Sequence, residues 1–185
     1  TKKIVERKLS DQQEVASKKL ISSVTDKCFS VSLLDGVPGS GKTIVYLEAI
    51  KSLLNSNKQI LVLVPEITLT NQFLETFQSI FGSVPEQWHS NLTPKQRKII
   101  WKDIINGKVK VIVGARSALF LPFKNLGLIV VDEEHDGTFK QEDSISYNAR
   151  DMAIVLAKKN DIPIFLVSAT PSLETYQNAM QGKYR

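Results

Sequence analysis

The chain has 185 residues, 42% hydrophobic and 23% charged, the balance of a globular domain with room for one sizeable core. No run approaches the roughly 18 apolar residues needed to span a bilayer, and one cysteine, Cys28, excludes an internal disulfide or a cysteine zinc cluster within these residues. The net charge of +5, from 24 basic and 19 acidic residues, tolerates a polyanionic partner without requiring one.

The chain opens on Thr1 with a charged segment, and no apolar leader follows. The expectation is a cytoplasmic piece of a longer protein with no membrane partner. Short apolar runs alternate with amphipathic stretches, the pattern of a parallel sheet with helices on both faces. Ser10, with Gln13 three residues later, has capping-box spacing and opens a first helix. A strand is expected over 29–34, then a helix from the glycine-rich segment to about residue 54. The unbroken Ile-Leu-Val-Leu-Val run over 60–64 predicts a strand buried on both faces, and a helix follows over 70–81. Thr93, Pro94 and Gln96 begin another helix. Strands are expected over 109–113 and 128–131, a helix over 150–158 and a strand over 162–167. Thr170 and Pro171 read as the cap and first turn of the last helix. The whole is an open, doubly wound α/β sheet, whose ligands belong beyond the carboxyl ends of the strands.

Gly36-Val37-Pro38-Gly39-Ser40-Gly41-Lys42-Thr43 fills every fixed position of the phosphate-loop pattern, between an apolar strand and a helix. The glycines let backbone amides turn toward phosphate oxygens. Lys42 reaches the β- and γ-phosphates, and the Thr43 hydroxyl can ligate magnesium. The plain alternative is a glycine-rich turn, against which the completeness and placement of the motif speak. A second apolar strand ends in Asp132-Glu133-Glu134-His135. Asp132 at the strand tip suits magnesium, and Glu133 suits orienting or deprotonating a water. His135 is placed to contact the γ-phosphate side or to couple it to the domain. An acidic turn that merely closes a strand is the alternative, weakened by the complete loop nearby.

Other signals are double-edged. Ser168-Ala169-Thr170 can relay a nucleotide state or simply cap a helix. The Gln13 amide can read an adenine edge and still close a capping box. Trp88, His89 and Trp101 read as packing or partly buried residues. Lys95, Arg97, Lys98, Lys102, Lys108 and Lys110 are opposed only by Asp103, which a solvated helix face explains equally well. Segments 65–70 and 114–117, with Thr68, Arg116 and Ser117, offer groups that grip a phosphodiester without reading bases. Phe139, Lys140, Gln141 and Tyr147 can stack on a strand or form an ordinary exposed loop.

The stretches LLDGVPGSGKT at 33–43, LVPEITLTNQ at 63–72, GARSALFLPFKNLGLIVVDEEHD at 114–136, YNARDMA at 147–153 and SATPSLET at 168–175 together resemble superfamily 2 helicases. More narrowly, they resemble the bacterial primosomal replication-restart helicases. The resemblance covers residues 9–185. It implies the first of two RecA-like motor lobes of a P-loop NTPase, using ATP and magnesium to drive DNA translocation in the 3′-to-5′ direction. It puts Gln13 at the adenine-sensing position and Gly36, Pro38, Gly39, Ser40, Gly41, Lys42 and Thr43 in the triphosphate loop. Asp132 and Glu133 fall on magnesium binding and water activation, with His135 beside them, and Thr68, Arg116 and Ser117 on DNA backbone. Pro38 stands where threonine is usual and Asn71 where proline is usual. Residues 139–147 take the place of an aromatic-rich coupling loop, with fewer aromatics. The implied partners are DNA, other primosome proteins and single-stranded-DNA-binding proteins. The family also carries a DNA-binding region, a second lobe with arginine fingers and a cysteine-rich module outside these residues, so zinc is expected only there. A GTPase or kinase, or a non-catalytic nucleotide-binding module, is the competing reading. The missing Asn-Lys-x-Asp motif and the retained Lys42, Thr43, Asp132 and Glu133 weigh against both.

Overall fold

In the computed structural model, which describes residues 9–65, 71–141 and 146–185, the apolar runs become parallel strands. These are β1 (Ser30–Asp35), β2 (Gln59–Leu63), β3 (Glu86–Trp88), β4 (Val111–Gly114), β5 (Leu126–Asp132) and β8 (Pro163–Ser168). Among the described residues they form one six-stranded sheet in the order β1-β8-β5-β2-β4-β3. A separate antiparallel pair joins β6 (Lys140–Gln141) to β7 (Tyr147–Asn148). The helices are α1 (Asp11–Thr25), α2 (Lys42–Leu53), α3 (Asn71–Phe81), α4 (Pro94–Ile105), α5 (Ala149–Asn160) and α6 (Leu173–Met180). No described helix is long and apolar enough to cross a membrane.

Successive strand residues point to opposite faces, so the central strands feed two cores. Ile60, Val62, Leu128, Val130, Phe165 and Val167 pack with residues of α1, α2 and α3. Leu61, Leu63, Ile129, Val131, Ile164 and Leu166 pack with residues of α4 and α5. All twelve are fully buried, and each such side chain contributes roughly 1.5–3 kcal/mol by leaving water. At the amino end of the sheet the side chain of Gln59, 1% exposed, is fully satisfied. Its Nε2 donates to the Ile104 and Val109 carbonyls, and its Oε1 accepts from the Lys124 and Asn125 amides. That plug keeps residue 109 out of β4, which starts two residues later than the apolar pattern suggests.

Both capping boxes form, at Ser10 with Gln13 and at Thr93 with Gln96. The last helix departs from expectation. Its cap is Ser172, whose hydroxyl accepts from the Thr175 amide, whereas the Thr170 amide donates to Ser168 Oγ at 3.0 Å. Thr170 and Pro171 therefore belong to the strand-to-helix turn. The site depends on one feature of the strand order. Because β8 lies between β1 and β5, Ser168 pairs with Asp35 and Val167 with Asp132. The ends of these three strands thus bring segments from distant parts of the chain side by side.

Candidate functional site

Beyond β1 the chain turns through Gly39 and Gly41, at φ +77° and +80°, where a side chain would be strained. A Cβ on Gly41 would also fall 2.5 Å from Gln13 Nε2. Gln13 serves both readings of its position. Its Oε1 accepts from the Ser10 amide at 2.9 Å, closing the capping box, while Nε2 donates to the Ser40 carbonyl at 2.8 Å. The first helix is thereby tied to the phosphate loop. Lys42 Nζ donates to the Gly36 and Val37 carbonyls at 2.6 and 3.2 Å. Phosphate oxygens in that position would replace these neutral acceptors with stronger, charge-assisted ones.

One helical turn beyond Thr43 stands Tyr46, fully buried. Its hydroxyl meets the Thr43 side chain and donates to Asp132 Oδ2 at 2.8 Å. The other carboxylate oxygen accepts from the Glu133 amide at 3.0 Å. Burial pushes the Asp132 carboxyl up to about 6, against the lowering effect of the Tyr46 hydrogen bond. Burial likewise holds the Tyr46 phenol well above its ordinary value. A buried carboxylate beside a threonine hydroxyl suits a hard divalent cation, which restores the charged form that burial disfavours. Glu133 has φ +52°, a conformation that costs on the order of 1–2 kcal/mol outside glycine and gathers at functional sites. Its carboxylate lies 3.6 Å from His135 Nδ1, beyond hydrogen-bond range. His135 Nδ1 instead shares a 2.6 Å hydrogen bond with Ser168 Oγ, which ties the acidic box to the Ser-Ala-Thr segment. Gly39, Gly41, Lys42, Thr43, Asp132 and Glu133 line one cleft of about 370 Å³, with Pro38 and Gln72 at its walls. A larger, mostly apolar cavity of about 920 Å³ between α1 and β1 contains none of these groups.

The residues expected at nucleic acid fare unevenly. Arg116 and Ser117 open a short 3-10 helix, Arg116–Phe120, and Ser117 is exposed. Arg116 Nη1 donates to the Lys140 carbonyl at 2.8 Å and the Thr138 carbonyl at 3.4 Å, so Arg116 also anchors the segment after the acidic box. Thr68 lies outside the described residues. Phe139 is not a stacking platform: it is 1% exposed and belongs to the core. Tyr147 is half-buried and meets Phe120 edge-on at 5.6 Å. Trp88 is buried beneath Arg97, while Trp101 is 48% exposed. Part of the basic stretch is structural, since Arg97 donates to the His89, Ser90 and Leu92 carbonyls and Lys110 to the Ser56 carbonyl. Sequence reasoning missed Tyr46, although its spacing from Thr43 puts both on one helix face. It also missed Arg150, 6% exposed and bound to the fully buried side chain of Glu134.

A family model described as DEAD/DEAH box helicase matches residues 10–179. The chain belongs to the DEAD/DEAH box helicase family. ATP use goes with that membership. Among curated relatives, this DEAD/DEAH box chain is 49% identical over 177 residues to the replication restart protein PriA of Haemophilus influenzae, covering 96% of this chain and 24% of that protein. It is 43% identical over 176 residues to PriA of Bacillus subtilis, covering 95% and 22%. The chain thus spans about a quarter of the length of these relatives. Among solved structures it is similar to RecG bound to a three-way DNA junction, with a TM-score of 0.72, 24% identity and 97% and 23% of the two chains covered. Dbp5 of S. cerevisiae gives 0.65, with 21% identity and 96% and 46% covered. At such identities these two likenesses bear on the fold alone, the RecA-like helicase sheet.

Proposed function

We propose that residues 1–185 form the first ATP-binding lobe of a longer, cytoplasmic 3′-to-5′ DNA helicase of the replication-restart type. One observation carries this reading: Lys42 and Thr43, from the start of α2, and Asp132 and Glu133, from the end of β5, converge on one cleft. Gly36, Pro38, Gly39, Ser40 and Gly41 wrap the triphosphate, and Lys42 holds its β- and γ-phosphates. Gln13, already fixed to the loop, stands at the adenine side. Thr43 and Asp132 are the protein ligands for magnesium, which neutralises charge on the phosphates when bound. Glu133 orients the attacking water and accepts its proton. His135, through Ser168, passes the state of the cleft to the Ser-Ala-Thr turn.

Thr68, Arg116 and Ser117 meet the DNA backbone, with forked or single-stranded DNA as the substrate. Primosome and single-stranded-DNA-binding proteins are the partners that the family resemblance implies. A second lobe supplies the arginine that stabilises the transferring phosphate, and any zinc lies outside these residues. The test uses the full-length parent. Glu133→Gln should bind Mg-ATP normally and lose hydrolysis, because an amide does not accept the proton; wild-type turnover in that variant would move the base elsewhere. ATP outcompeting GTP in the same binding assay separates this reading from a GTPase.

A further inference from the structure

The proposed chemistry employs Asp132, Glu133 and His135 and leaves Glu134 without a task. Glu134 is 2% exposed, and its side chain lies outside the cleft that Glu133 lines. Its Oε1 accepts from the Ser172 amide at 2.7 Å. Its Oε2 accepts from Arg150 Nη1 at 3.2 Å and Thr175 Oγ1 at 3.1 Å, with Ser172 Oγ at 3.3 Å. Arg150 is shared further, with Ser172 Oγ at 2.7 Å, Glu174 at 2.8 Å and Asp151 at 2.8 Å. The Glu134 amide donates to the Val167 carbonyl of β8 at 3.0 Å. Through its buried carboxylate and its amide, Glu134 therefore joins the end of β5 to the start of α5, the start of α6 and β8.

The residue immediately before this anchor is Glu133, at φ +52°. A glutamate stays in that region only where its surroundings over-determine it. On the other side, the Asp136 amide donates to the Glu133 carbonyl at 2.8 Å. We propose that Glu134 is a positioning residue for ATP hydrolysis: clamped by Arg150, Ser172 and Thr175, it holds the left-handed turn that aims Glu133 into the cleft. A buried Arg–Glu pair contributes little net stability by itself; its use here is fixed geometry, since a displacement of about 1 Å at a catalytic group can cost on the order of a hundredfold in rate. The positions of α5 and α6 then bear directly on the aim of Glu133.

This inference rests on the nucleotide reading above, and the experiment separates the two. In the full-length parent, Mg-ATP affinity and DNA-stimulated turnover are measured for wild type, Glu134→Gln, Thr175→Val, Thr175→Ser and Ile104→Val. The last is a core control in α4, outside both the Glu134 hydrogen-bond network and the cleft. Glu134→Gln should lose roughly 10- to 100-fold in kcat with KM and Mg-ATP Kd within about threefold of wild type. Thr175→Val should lose less, and Thr175→Ser, which keeps the hydroxyl, should recover most of the rate. Ile104→Val should keep wild-type kcat at temperatures well below its melt. If Glu134→Gln fails to fold, the Thr175 pair decides. Normal turnover in Glu134→Gln, or in Thr175→Val where the first does not fold, overturns this inference alone. So does a Thr175→Ser variant as slow as Thr175→Val. A wild-type protein that binds no Mg-ATP overturns the nucleotide reading and this inference with it.

Discussion

Burial raises the Asp132 carboxyl from 3.8 to about 6, so the fold binds that proton more tightly than the unfolded chain does. Its contribution to stability is complete below about pH 4 and is lost as pH rises through about 6. At neutral pH the ionised, buried carboxylate then costs on the order of 3 kcal/mol, a cost that the magnesium-ligand role proposed for Asp132 accounts for. Asp132→Asn keeps an acceptor for the Tyr46 hydroxyl, gives up the one for the Glu133 amide at about 1 kcal/mol, and removes the larger cost of the buried charge. It should therefore raise the melting temperature near pH 8, with the gain fading toward about pH 4, while abolishing the magnesium dependence of ATP affinity. Thermal melts across that range check it; a variant less stable than wild type at every pH would contradict it. Tyr46 itself was hidden in the sequence because an aromatic residue in an amphipathic helix ordinarily reports only core packing. Its phenol acquires a role through Asp132, which lies 86 positions away.

The short 3-10 helix Arg116–Phe120 and the segment after the acidic box behave as a linked pair, because Arg116 donates to the Thr138 and Lys140 carbonyls. If Arg116 also grips phosphate, Arg116→Ala should weaken single-stranded DNA binding equally for all sequences and flatten its salt dependence by roughly one counterion. ATP affinity should barely change. Fluorescence anisotropy with several oligonucleotides over a salt series is the measurement, and unchanged affinity and slope would remove Arg116 from the DNA track. Other elements differed in how openly the sequence declared them. Strands β2, β5 and β8 were legible because burial on both faces leaves unbroken apolar runs. Strand β3 was faint because it has three residues, of which Glu86 is exposed. The cap of α6 was misread because Thr170-Pro171 carries the same local chemistry as Ser172, and only the tertiary pull of Glu134 on Ser172 decides between them. The phosphate loop and acidic box were plain from their spacing, whereas Phe139 entered the core for reasons that no local pattern displays.

On the scale of the whole molecule, sheet order does the assembly: β8 between β1 and β5 draws the phosphate loop, the Ser-Ala-Thr turn and the acidic box to one edge. On the proposed reading, one such lobe supplies the binding surface for a nucleotide, and a transition-state arginine comes from elsewhere in a two-lobed motor. On that reading binding is the property to ask of these 185 residues, and turnover belongs to the proposed full-length helicase. The most direct measurement is calorimetric titration of Mg-ATP into the chain and into Lys42→Ala. Among the described residues, the Lys42 ammonium donates to its own loop carbonyls at Gly36 and Val37, so the variant should melt close to wild type. Single-site binding in the wild type, with affinity lost by at least tenfold in Lys42→Ala at an unchanged fold, is the expected result. Equal affinity in the two proteins would contradict the assignment of this cleft to ATP.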